Sequence, residues 1–270
     1  MKMKLRVLLG ASALLPGLAV PAALTTALPA GADPASAPLC STAGTALSGS
    51  YHNLTVTGNS YVADMATLNV SGNLRLAPGS CLDAFSLGTV QVGGNVLVGN
   101  GATLALGCAP GSNGPPPMLP CGSTTTDDTV GGNIVANNPY TMYLTAVTVG
   151  HNVVSNGGGP GATFDPYVNF PIKGMDIHGN LVVQGWQGAW FGAVRNTVDG
   201  NVILSHNVGA NPDSTEIGSN TVGGNLICQG NSPPAQLGDA VETGVGPNTV
   251  AGRTIGQCAL PADTGATSAS

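Results

Sequence analysis

A Gly-Asn pair set between two short apolar phrases returns along most of this chain, and that recurrence restricts the folds open to it. Copies stand at Gly58-Asn59, Gly72-Asn73, Gly94-Asn95, Gly132-Asn133, Gly179-Asn180, Gly200-Asn201 and Gly224-Asn225, with an altered copy at Gly150-His151-Asn152 and a decayed one at Gly252-Arg253. A β-branched phrase precedes most copies ("LNVSGN", "VQVGGN", "NTVDGN", "NTVGGN") and an apolar one follows ("LRL", "VLV", "IVA", "LVV", "VIL", "LIC"). Both phrases alternate apolar with small or polar residues, the period of a strand with one buried face. Several successive asparagines lie 19 to 28 residues apart, with one long gap before Asn133 and one short step from Asn59 to Asn73. A period of this length marks a stack of repeated supersecondary units.

Glycine and asparagine tolerate positive φ, so the pair reads as a sharp bend. As a hairpin tip it would build a β-sandwich or a propeller. As a corner it would build one turn of a solenoid, each turn stacked ~4.8 Å from the last. The short unit and the recurring corner favour the second architecture: a single-domain, all-β, right-handed parallel β-helix (β-solenoid) of about eight to ten coils. The β-sandwich or propeller built from hairpins is the alternative. The segments from Cys40 to about Tyr51 and from Ser232 to Cys258 are the expected caps on its ends.

Residues 1–37 read as a secretory signal peptide: Lys2, Lys4 and Arg6 lead into a short apolar run broken by Pro16 and Pro21, with small-residue exits near Ala32 and Ala37. The β-solenoid is expected over 38–258 and a flexible tail over 259–270. No later stretch is long and apolar enough to span a membrane. All six cysteines follow the signal, the even count of a disulfide framework in an exported chain. Of the fifteen possible pairings, sequence proximity points to Cys40–Cys81, Cys108–Cys121 and Cys228–Cys258. Beyond residue 37 only Arg75, Lys173, Arg195 and Arg253 are basic, against twelve acidic residues. That balance lacks the basic stripe a nucleic acid requires. No cysteine or histidine spacing suggests a metal site.

In its export signal, low charge and "NTVxGN" units, the chain resembles small secreted β-solenoid proteins of high-GC Gram-positive bacteria. The resemblance covers roughly residues 50–255. It implies the parallel β-helix and an extracellular setting, and it transfers no catalytic residue.

Chemistry is expected where the repeat is interrupted. Most aromatic residues fall between Pro139 and Phe191, and Tyr167, Trp186 and Trp190 are the candidates for stacking on a ligand. Lys173, Asp176, His178 and, about one coil later, Asp199 are the catalytic candidates if the protein is an enzyme. Asp127-Asp128, in "TTTDDTV", reads as a solvated turn. The expected function is a secreted, monomeric, non-catalytic extracellular or cell-surface solenoid with a structural, adhesive or glycan-binding role, its partner a polysaccharide or cell-wall glycan. The alternative is a polysaccharide lyase or glycoside hydrolase of the parallel β-helix type, the only case that would call for a cofactor, Ca²⁺.

Overall fold

The computed structural model describes Cys40, residues 44–110, Cys121, and residues 124–161, 168–212, 214–238 and 245–259. The expected signal peptide, the tail beyond Ala259 and Tyr167 lie outside these residues. Every strand pairing among them is parallel, and each strand lies beside its counterpart from the next turn of the chain. Three long sheets result, with eight, nine and nine strands. One coil runs through sheet 1, sheet 2 and sheet 3 in that order. The third coil, for example, is Cys81–Ala84, Thr89–Val92 and Val96–Val98. Among the described residues eight such coils, and a ninth with strands in sheets 2 and 3 only, form a β-solenoid about 40 Å long at ~4.8 Å per coil. A hairpin-built sandwich or propeller is excluded, because hairpins would pair antiparallel.

The alternating phrases supply the core. Sheet 2 turns Val70, Val92, Val130, Val149, Ile177, Val198 and Val222 inward, and sheet 3 opposes them with Leu74, Val96, Ile134, Val153, Leu181, Val202 and Leu226. Each of these is buried, worth roughly 1.5–3 kcal/mol in apolar transfer. In the sixth and seventh coils the core widens to take Trp186, Phe170 and Phe191, which meet edge to face at centroid distances of 5.5 and 5.8 Å.

The corner between sheets 2 and 3 carries an asparagine ladder. Asn73, Asn95, Asn133, Asn152, Asn180, Asn201 and Asn225 each donate the backbone N–H to Oδ1 of the asparagine one coil earlier, at 2.8–3.1 Å. From Asn95 onward the side-chain amide donates to that same oxygen at 2.9–3.1 Å. The ladder starts at Asn53 and stops at Arg253, whose backbone N–H still donates to Asn225 at 2.9 Å.

Two sequence expectations about this corner are corrected. Gly58-Asn59 is not a rung: it lies where sheet 3 returns to sheet 1, and the rung in the first coil is Asn53. The anomalous short step in the repeat disappears with it. Nor do the ladder glycines serve positive φ, since none of Gly72, Gly94, Gly132, Gly179, Gly200 and Gly224 adopts it. They allow close approach instead. A Cβ at any of them would lie 2.4–2.7 Å from a ladder Oδ1 and about as close to a carbonyl oxygen of the preceding coil.

The other two corners carry shorter ladders in the later coils, Asn196–Asn220–Asn248 and Asn207–Asn231–Gln257. Their direction is reversed, each residue donating to the amide oxygen of the coil that follows.

All three expected disulfides are present: Cys40–Cys81, Cys108–Cys121 and Cys228–Cys258. The segments expected as caps are instead coils, for Thr45–Ala46 and Gly49–Tyr51 join sheets 1 and 2 while Thr249–Val250 and Thr254–Gly256 join sheets 2 and 3. Cys108 and Cys121 pack with Phe85, Ala105 and Tyr143 in a second small core, apart from the main one, on the outer side of sheet 1.

Candidate functional site

The outer face of sheet 2 is a regular, polar, exposed surface, whereas the outward column of sheet 3 is aliphatic from Leu97 to Ile255. Because the strands stack in register, one outward side chain per coil forms a column: Ser50, Asn69, Gln91, Thr129, Thr148, Asp176, Thr197, Thr221 and Thr249. Beside it, at the start of the corner, runs a second column of His52, Ser71, Gly93, Gly131, Gly150, His178 and Asp199. Its middle has no side chains, so the two columns enclose an open trough of about 990 Å³ extending from Ser50 and His52 to His178. At ~4.8 Å per coil the trough is about 24 Å long. Small or medium polar side chains thus face outward at every coil of the trough.

His52 closes one end, with Nδ1 3.1 Å from Ser71 Oγ. His178 closes the other, lying between two carboxylates: Nε2 is 3.7 Å from Asp176 Oδ2, and Nδ1 is 3.4 Å from Asp199 Oδ2. Three of the four catalytic candidates therefore meet on one face. Their chemistry is limited by exposure, since the side chains of His178, Asp176 and Asp199 are 50%, 52% and 59% accessible to water. The two carboxylates also address opposite nitrogens of the ring, so the three groups do not converge on one point as cation ligands would. Among the described residues no cluster of three or more histidines, cysteines or acidic residues is arranged to hold a metal ion.

Lys173 does not join them. It ends the strand Asn169–Lys173 of sheet 1, on another face of the rod, and holds its ammonium 5.2 Å above the Trp190 ring. Trp190 is half-buried and lies flat over Gly192, where its indole fills the space a Cβ would take. Trp186 is corrected outright as a ligand contact: it is wholly enclosed, and its indole N–H donates to the Tyr140 carbonyl at 3.3 Å. The expected aromatic platform thus divides into one core residue, one residue covering sheet 1, and Tyr167 outside the described residues.

Two acids are buried among the described residues, Asp128 and Glu216, and the sequence marks neither as such. Asp128 was expected in a solvated turn but begins the strand Asp128–Val130 and is 1% exposed. Its carboxylate accepts from the Val90 N–H one coil earlier and from the Thr126 hydroxyl, while Thr126 Oγ1 accepts from the Cys108 N–H at 3.0 Å. These bonds tie the return of the proline-rich loop to the third coil. Burial pushes the Asp128 carboxyl up from 3.8 to about 6, against the lowering effect of the two bonds it accepts, and Asp127 adds a smaller upward push. The paired-acid sequence carries no sign of this, because Thr126, which donates to the carboxylate, lies outside the repeat.

Among the described residues no helix is long and apolar enough to cross a membrane. No protein-family model, no curated protein and no solved structure matches this chain.

Proposed function

We propose that this protein is exported and serves, as a monomer, a non-catalytic extracellular or cell-surface role, binding an extended glycan along the outer face of sheet 2. The observation that carries this reading is the trough itself: a straight, open channel with one polar side chain per coil in register. Ser, Thr, Asn and Gln hydroxyls and amides both donate and accept, which suits a partner rich in hydroxyl groups. Export is supported by the signal-like sequence of residues 1–37 and by three disulfides, which persist in oxidising compartments. A glycan-cleaving enzyme is the second reading, favoured by Asp176, His178 and Asp199 at the end of the same trough. It asks for a general acid or base tuned by its surroundings. These three groups are half open to water instead.

A panel of insoluble and soluble polysaccharides separates the readings. The expected outcome is retention on at least one glycan with no release of reducing or unsaturated ends, weakened about tenfold by the double substitution Thr129→Val/Thr148→Val, which removes two outward hydroxyls at nearly constant volume and at unchanged melting temperature. Release of ends that is lost in His178→Ala would establish the enzyme. Absence of both retention and release across the panel would overturn both readings.

A further inference from the structure

Resting on the glycan-binding reading above, we infer that the trough selects a polyhydroxylated chain free of acidic groups and turns away polyanions such as uronate, sulfated or phosphorylated polymers. Three observations carry this. First, the column facing the ligand over the trough is uncharged, Ser50, Asn69, Gln91, Thr129 and Thr148, and no lysine or arginine lines the channel. Between the histidines at its two ends, a polyanion would therefore lose hydration without finding an ionic partner, the unfavourable case for a charge brought to a protein surface. Second, the far end of the trough is acidic: Asp176 and Asp199 flank His178 there, and the whole chain carries a formal charge of −6. Like charge is repelled over about a Debye length, ~8–10 Å at moderate ionic strength. Third, the channel offers a peptide nothing to pair with. Its floor is the interior of a nine-stranded sheet whose backbone groups already bond to neighbouring coils, and strand addition needs an open edge.

Repetition sets the geometry of the ligand. Equivalent donors and acceptors return every ~4.8 Å along the axis, so a polymer laid parallel to the rod meets the same contacts at each coil. A small saccharide engages one or two coils, whereas a long chain engages five, and the advantage of length is one of multivalency.

The test uses the full disulfide-bonded protein in co-sedimentation and affinity electrophoresis at low and physiological salt. The probes are a neutral insoluble β-glucan and the uronate polymers pectate and alginate. The expected result is retention on the neutral glucan with at least tenfold weaker association with either uronate polymer. Two double variants locate the selection. Gln91→Lys/Thr148→Lys places two cations in the trough, and Thr221→Lys/Thr249→Lys places two on the same column beyond it, so both change the net charge equally. Only the first is expected to raise uronate binding, by about tenfold.

If the wild-type protein holds pectate or alginate as tightly as the neutral glucan, the inference falls and the glycan-binding reading stands. If neither class is retained, both fall. If the two lysine pairs act alike, selection resides in net charge and not in the trough, which also overturns the inference.

Discussion

Replacing Asp128 by asparagine isolates one buried ionisation from everything else in the rod. The wild-type carboxyl is raised from 3.8 to about 6 in the folded state, so folding favours its protonated form. The sign follows from that direction. Below about pH 4 the group is protonated whether the chain is folded or not, and it imposes no penalty. Between about 4 and 6 the unfolded chain releases the proton while the folded one keeps it, so stability falls as pH rises, and above 6 the full cost is present. Two pKa units correspond to about 3 kcal/mol.

Asparagine is neutral throughout, and its Oδ1 can still accept from the Val90 N–H. Its amide would face the Thr126 hydroxyl, which can turn to donate to the Cys108 carbonyl, 3.4 Å away. Allowing about 1 kcal/mol for that rearrangement, D128N should be about 2 kcal/mol more stable than wild type at pH 7 and about 1 kcal/mol less stable at pH 4. For a domain of this size the swing is about 6–12 °C in melting temperature. Differential scanning calorimetry of both proteins from pH 4 to 7, disulfides intact, measures it. Other titrating groups cancel in the difference between the curves. A difference that stays constant over that range would refute the assignment of a raised Asp128 pKa.

Two further perturbations probe the scaffold. Asn133→Ala removes the oxygen that accepts from both the backbone and the side chain of Asn152, and the amide that donates to Asn95. At about 1 kcal/mol per bond, urea unfolding should show a loss of about 2–3 kcal/mol. Trp186→Ala should lose about 3–5 kcal/mol because it empties the core. Trp190→Ala should lose about 1 kcal/mol, since that ring covers a surface and holds one cation. Thermal melts of the pair would show equal losses if the two indoles had equivalent surroundings.

The parts of the fold that could be read from the sequence are those that repeat under the same physical demand. Sheet 2 has one face in the core and one in water, so Thr89–Val92 alternates visibly, while in sheet 3 the outward residue is itself aliphatic, as Leu97 is in Val96–Val98, and only the burial alternates. Sheet 1 differs. Thr103–Leu106 and Thr141–Thr145 are buried at every position, and Cys108, Cys121 and Phe85 pack with Ala105 and Tyr143 on their outer side. Two-sided burial erases alternation in such strands, and the first two strands of sheet 1, Thr45–Ala46 and Asn59–Tyr61, are too short to show a period, so the Gly58-Asn59 pair looks like a rung in the sequence. The ladder glycines are legible in the sequence, but their role is close approach and not positive φ. Local conformation can be inferred from a residue type, whereas a clash with the coil below depends on a neighbour some twenty residues away.

The site divides along the same line. Asp176, His178 and Asp199 meet because two of them share a coil and the third is one coil further on, a spacing visible in the sequence. The burial of Trp186 and of Asp128 depends on where irregular segments settle, and nothing periodic reports that. The uncharged column along the trough was present in the sequence as scattered Ser, Asn, Gln and Thr. It became a surface only when the register of the coils was known.

A stack whose turns touch only their neighbours melts as a zipper opens, from its outermost teeth inward. The cross-links lie against that mode of failure. Cys81 of the third coil holds the lead-in to the first, and Cys228 of the eighth holds the chain just past the ninth. A tooth that opens at either end remains tethered beside its seat, while the fifth to seventh coils carry no cross-link and are guarded by the turns on either side. In a reducing environment the rod should shorten from its ends before it collapses.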